Sequence, residues 1–132
     1  ATERAKSRFK ALNDTAVAML SEVHIDKDAP VKRYFASAGA MLRQARQYLQ
    51  QNDIENGFVM LNRFCTYFIT KLPEHPNFSS KDASAERKKY KAEASSAMDE
   101  CTKLKSLLLR QFEEEEEQQQ AAAAQAEAGG AP

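Results

Sequence analysis

At 132 residues the chain has room for a single domain. Its 19 basic residues balance 19 acidic ones, which argues against nucleic acid as the main partner, because phosphate contact needs a basic excess. No apolar run approaches the roughly 20 residues of a membrane span, and no apolar signal core opens the chain, so a protein that is neither membrane-inserted nor secreted is expected.

Ten leucines, three isoleucines, four valines and seven phenylalanines all lie between Phe9 and Phe112, enough for one modest core. From Glu113 onward there is none, so the tail has no apolar surface to bury. The expected organisation is a helical domain over residues 1–112 and a Glu/Gln/Ala-rich linker over 113–132, partly helical or disordered. The Ala start and the Gly-Gly-Ala-Pro end suggest a piece of a longer protein.

In chain order, Phe9, Leu12, Ala16, Met19, Leu20 and Val23 recur at three- and four-residue steps and predict a helix over 3–23. Asp26, Asp28 and Pro30 then mark a break and a new helix start. A second helix over 31–51 carries Tyr34, Phe35, Ala38, Met41, Leu42, Ala45, Tyr48 and Leu49 on one face. Its small residues Ser37, Ala38, Gly39 and Ala40 imply close approach by a neighbour. Asn52-Asp53 reads as a tight turn whose aspartate caps the next helix, and so short a connection makes the two helices antiparallel.

The third helix, over 54–72, ends at Leu72-Pro73. Phe58, Leu61, Cys65, Phe68, Ile69 and Leu72 form a core stripe, and Met60, Phe64 and Tyr67 lie on another side. A helix apolar on two sides is central in its bundle, lines a binding groove, or both. After a Pro73-to-Asn77 loop, Phe78 is expected to fold back as an anchor, with Ser79 and Ser80 as candidate caps. The fourth helix, over 82–112, repeats Tyr90, Ala94, Ala97, Cys101, Leu104 and Leu108 as a heptad seam. A second line holds Glu86, Glu93, Glu100 and Leu107: either a solvated face or the rim of a groove. Polar residues and alanines beyond Phe112 favour a helix that frays gradually.

Catalytic chemistry has no foothold in this pattern. The two histidines, His24 and His75, are far apart in expected loops, and neither a zinc-type His or Cys pairing nor a Gly-rich phosphate loop occurs. Cys65 and Cys101 fall on apolar stripes and read as reduced core thiols, with a disulfide or reactive thiol as the alternative. His75, between two prolines, reads as a hydrogen-bond partner that orders its loop. No catalytic residue, metal ligand or cofactor site is therefore expected in this chain. The expectation is a helix-binding bundle, since grooves between bundle helices take amphipathic helices and rim charges select among them.

The segment Pro30-Val31-Lys32-Arg33-Tyr34-Phe35, with Ser37, Ala45, Tyr48 and Asn52-Asp53-Ile54-Glu55, resembles the amino-terminal domain of AMSH-type deubiquitinating metalloproteases. The likeness continues through Phe58, Leu61-Asn62-Arg63-Phe64, Phe68-Ile69 and Lys71-Leu72-Pro73-Glu74-His75, and ends at Phe78. Gly57 stands where that family has a small alanine, and Phe64 where it often has tyrosine. The resemblance implies an all-α, MIT-like three-helix core with an extra amino-terminal helix. It also implies binding to carboxy-terminal helices of ESCRT-III subunits on endosomes by a cytoplasmic protein. Catalysis in that family belongs to a downstream zinc-dependent JAMM-type domain, and the related UBPY-type proteases carry a similar domain that dimerises. Partner helices in many such domains enter between the last two bundle helices. On that basis Met60, Phe64, Tyr67 and Leu107 are the expected apolar floor, and Glu86, Glu93 and Glu100 the rim for a basic partner helix. Homodimerisation, or an adaptor or inhibitor lacking the protease domain, are the other readings.

Overall fold

A computed structural model describes residues 1–130. Among them the chain forms an all-α bundle of four α-helices and no strand: α1 (Glu3–Ala18), α2 (Val31–Gln50), α3 (Ile54–Thr66) and α4 (Ser84–Gly130). Short 3₁₀ turns follow α1 at Met19–Glu22 and precede α4 at Lys81–Ala83, and a wide π turn, Tyr67–Lys71, followed by a 3₁₀ turn, Leu72–Glu74, closes α3.

The local chemistry sets the boundaries. Thr2 caps α1 by accepting from the Ala5 N–H. Pro30 sits one position before α2 in extended conformation, where its lack of an N–H costs nothing. Asn52 adopts φ 61°, the left-handed region that Asn tolerates better than other side-chain-bearing residues. The Asp53 N–H donates to the Tyr48 carbonyl at 2.9 Å and the Asn52 N–H to that of Leu49 at 3.1 Å, closing the end of α2. Asp53 at once caps α3 by accepting from the Asn56 N–H. Three residues thus end one helix, reverse the chain and start the next.

Cross-helix contacts give the topology. Phe9 packs on Phe58, Asn13 meets Asn62, and the Arg63 guanidinium donates to the Ala16 and Thr15 carbonyls, so α1 and α3 run parallel. Gly39 faces Tyr90 and Arg46 meets Glu100, so α2 and α4 also run parallel. Each helix is antiparallel to the one before it in sequence. A Cβ at Gly39 would lie 2.5 Å from the Tyr90 hydroxyl, and one at Gly57 only 2.8 Å from Leu49 Cγ. Both glycines are needed for close approach, the first as expected from the small residues around it.

The larger core cluster joins Leu20, Phe35, Leu61, Phe64, Phe68 and Leu72 to the small residues Ala94 and Ala97 of α4. A smaller one, Ala5, Phe58, Leu108 and Phe112, lies at the other end, and Cys101 and Leu104 pack against both. The fourth-helix heptad therefore does form the inward seam. α3 packs against α1, α2 and α4, which makes it the central helix. Phe78 folds back as anticipated, its ring 6.0 Å from that of Phe35 and 5.9 Å from that of Phe68.

Three features depart from expectation. Ile69, assigned to the core stripe, is 49% exposed. The Thr70 hydroxyl takes the Thr66 carbonyl at 2.6 Å and Pro73 has no N–H to continue the ladder. The helix widens into the π turn there, which shifts the phase of the stripe. Met19, from the α1 stripe, is 59% exposed because it lies in the 3₁₀ turn beyond the helix proper. The third concerns the tail: α4 does run on into it as expected, as helix to Gly130, and the unexpected part is how it is held. Its first turn is docked on α1: the Thr2 N–H donates to Glu113 at 2.7 Å, the Thr2 hydroxyl to Glu116 at 3.1 Å, and Arg8 pairs with Glu115 at 2.9 Å. Packing thus runs four residues beyond Phe112, through polar contacts that an apolar count does not register.

Candidate functional site

The seven residues expected to line a binding site do not share one surface. Phe64 and Tyr67 are 0% and 2% exposed, inside the larger cluster, and Met60 is half-buried against it. Burial raises the Tyr67 hydroxyl to a pKa of about 12, the direction expected when the charged form is excluded from water. Leu107 is exposed at the opposite end, beside the α2–α3 turn and Arg110. Glu86 lies in the first turn of α4, where a carboxylate complements the helix dipole.

Glu93 and Glu100 face α2, not α3. Glu93 shares a cleft with Leu42, Arg43, Arg46 and Gln50. Glu100 holds Arg46 in a two-pronged pair, with one arm at 2.8 Å, and this hydrogen bond holds the guanidinium proton more tightly than usual. Both side chains remain about a third exposed, so the pair contributes on the order of 1 kcal/mol or less.

A larger and more apolar groove lies on the other side of α4. Phe68, Ile69, Pro73 and Phe78 line one wall, and Ala94, Ser95 and Met98 the other, around ≈ 680 Å³. Ile69 and Met98, 49% and 44% exposed, put apolar surface at its mouth. Its edge carries Arg87, Lys88 and Lys91 with no carboxylate among the lining residues. Arg87 is fixed by donating to the Phe78 and Ser80 carbonyls at 2.6 and 3.0 Å, whereas Lys88 and Lys91 are exposed. The exposure of Ile69 follows directly from the π turn. The signal available in the sequence was the basic run Arg87-Lys88-Lys89, with Lys91, at the start of the fourth helix.

His75 is buried, its Nε2 2.6 Å from the Ala29 carbonyl and its Nδ1 accepting from the Asn77 N–H at 3.0 Å. That pattern fixes the neutral Nε2–H tautomer and orders the loop before α4, the role anticipated for it. Among the described residues no three His, Cys, Asp or Glu side chains are grouped to hold a metal ion, and no helix is long and apolar enough to cross a membrane.

Residues 4–115 match the family described as the USP8 dimerisation domain. The chain belongs to that family. Curated relatives of this dimerisation-domain chain include the STAM-binding protein of Mus musculus, 33% identical over 92 residues that cover 70% of this chain and 22% of the relative. The AMSH-like protease of Homo sapiens is 41% identical over 56 residues, 42% of this chain and 13% of its own length. A probable ubiquitin thioesterase of Dictyostelium discoideum is 29% identical over 91 residues, 69% of this chain and 13% of the relative. The chain spans about a fifth of the length of the first of these relatives. The AMSH-type resemblance read from the motif residues is thereby established. Within this dimerisation-domain fold the most recognisable of those residues are structural. Arg63 takes carbonyls at the end of α1, Asn62 bonds Asn13, Asp53 caps α3 and His75 ties its loop to Ala29.

Proposed function

We propose that this domain is a non-catalytic, MIT-like targeting module that holds an amphipathic helix in the groove between the end of α3 and the first half of α4. The observation that carries this reading is an apolar floor, Phe68, Ile69, Phe78 and Met98, open to solvent and edged by Arg87, Lys88 and Lys91. A helix with anchors three and four residues apart fits such a floor, and acidic residues beside the anchors fit its edge. The partner class is the carboxy-terminal helix of an ESCRT-III subunit. The bound helix would bring a cytoplasmic protein to endosomes. Relatives named as a protease and a ubiquitin thioesterase support a parent deubiquitinase, with JAMM-type zinc catalysis elsewhere in that parent.

The acidic row Glu86, Glu93 and Glu100, with Leu107, is the competing surface and would select a basic helix. A titration of the domain against ESCRT-III carboxy-terminal peptides, by calorimetry or fluorescence anisotropy, separates the two. Lys91→Glu is expected to weaken binding roughly tenfold or more, an effect of about 1.4 kcal/mol, while Glu93→Lys leaves it unchanged. The reverse pattern assigns the partner to the acidic row, and absence of binding to every peptide sinks the helix-receiving function. Self-association is a second reading, favoured by the family description; sedimentation equilibrium over a range of concentrations decides it.

A further inference from the structure

The first turns of α1 are docked on α4 by charge more than by burial. Of residues 3–8 only Ala5 is buried. Arg8 pairs with Glu115 at 2.9 Å and lies 4.0 Å over the Phe112 ring, and the Thr2 hydroxyl donates to Glu116 at 3.1 Å. Glu116 is itself buried at this contact. Ser7 belongs to the same arrangement: it is exposed and lines a surface cleft with Arg4, Arg8, Glu116 and Gln119. Arg4 precedes it by three residues and makes no ion pair among the described residues. An arginine three positions before a serine is what basic-directed serine kinases read, because carboxylates in their substrate groove pair with the guanidinium.

We propose that Ser7 is a phosphorylation site that releases the start of α1 from α4. In the transfer the Ser7 Oγ attacks the γ-phosphorus of ATP held by the kinase. The bond from that phosphorus to the β-phosphate oxygen breaks, ADP leaves, and the hydroxyl proton passes to the kinase's catalytic carboxylate. The kinase needs the segment extended, and residues 3–8 have only the burial of Ala5 to lose on unwinding. Once made, the phosphate acts on redocking in two ways. It puts about two negative charges into the cleft that Glu116 lines, where the two groups repel. Its oxygens also compete with Glu115 for the Arg8 guanidinium. Both effects weaken the same contact, and neither involves a residue of the larger core cluster. The released turns uncover the smaller cluster of Ala5, Phe58, Leu108 and Phe112. The cleft shares no residue with the apolar groove, so the switch does not depend on the groove binding any partner.

Incubating the full chain with a basic-directed serine kinase and magnesium ATP, then reading its mass and its amide exchange, tests the site. The expected product carries a phosphoryl group located on Ser7 by digestion. Ser7→Ala lacks it, and Arg4→Ala acquires it several-fold more slowly. In the phosphorylated chain the first turns of α1 are expected to exchange their amides roughly tenfold faster than before, while those of α3 are unchanged. Ser7→Ala, treated alike, keeps the slower exchange, which separates the effect from phosphate placed on another residue. The assignment is overturned by a chain that takes no phosphate on Ser7, by α1 exchange that is unchanged or slower once Ser7 is phosphorylated, or by equal acceleration in Ser7→Ala.

Discussion

α3 and the end of α4 are helical for opposite reasons. α3 is packed by three helices and buries Phe58, Leu61, Phe64, Cys65 and, through its π turn, Tyr67 and Phe68. Residues 117–129 of α4 are exposed throughout and owe their helix to strings of Glu, Gln and Ala. The first region is held by burial, so its side chains are irreplaceable while its sequence breaks helical regularity at Thr70 and Pro73. The second is held by propensity, so its regularity is complete and no single side chain matters. Helical content alone therefore says little about where the stability of this domain resides.

The contrast breaks hardest at Phe64. Phe64→Ala removes a ring that is 0% exposed and is expected to cost about 3–5 kcal/mol, measured by chemical denaturation. A smaller effect separates Tyr67 from the exposed surface. Its folded-state pKa, raised by burial to about 12, lies above the ordinary value near 10. The stabilisation is fully present below pH ~10 and is lost as the pH rises toward ~12, on the order of 2 kcal/mol. An ultraviolet titration should show one tyrosine ionising late, and Tyr67→Phe should remove both that step and the alkaline loss. The smallest effect belongs to the end of α4. Removing residues 119–132 should lower the helical circular-dichroism signal while moving the unfolding free energy by no more than about 0.5 kcal/mol. A larger loss would mean that the projecting helix is packed against something, a second copy included.

Much of the fold was legible because it rests on local rules. Asn52-Asp53 carries its turn and cap in its own side chains, the α4 seam follows a seven-residue count, and the small residues around Gly39 announce the approach of Tyr90. The site was less legible, for a geometric reason. Each helical residue turns by about 100°, so Glu93 and Glu100 flank the Ala94–Cys101 seam on one side, while Lys91 and Met98 flank it on the other. The sequence defines both flanks but not which of them faces α3; that depends on the handedness with which the bundle closes. The π turn is the second gap. It opens just ahead of Pro73, which has no N–H to continue the ladder, and apolar periodicity does not record it; Ile69 is exposed there and lines the groove.

Cys101 and Leu104, shared by the two clusters, also set an order of opening. The smaller cluster depends on α1 through Ala5, with Phe9 and Leu12 packed against it. The first turns of α1 can lift from α4 and expose that cluster while Phe35, Phe64 and Phe68 stay enclosed by α2, α3 and α4. The expected order of opening is therefore α1 first, with α2, α3 and α4 opening together afterwards. Amide exchange in α1 would then report a local opening and that in α3 the unfolding of the whole.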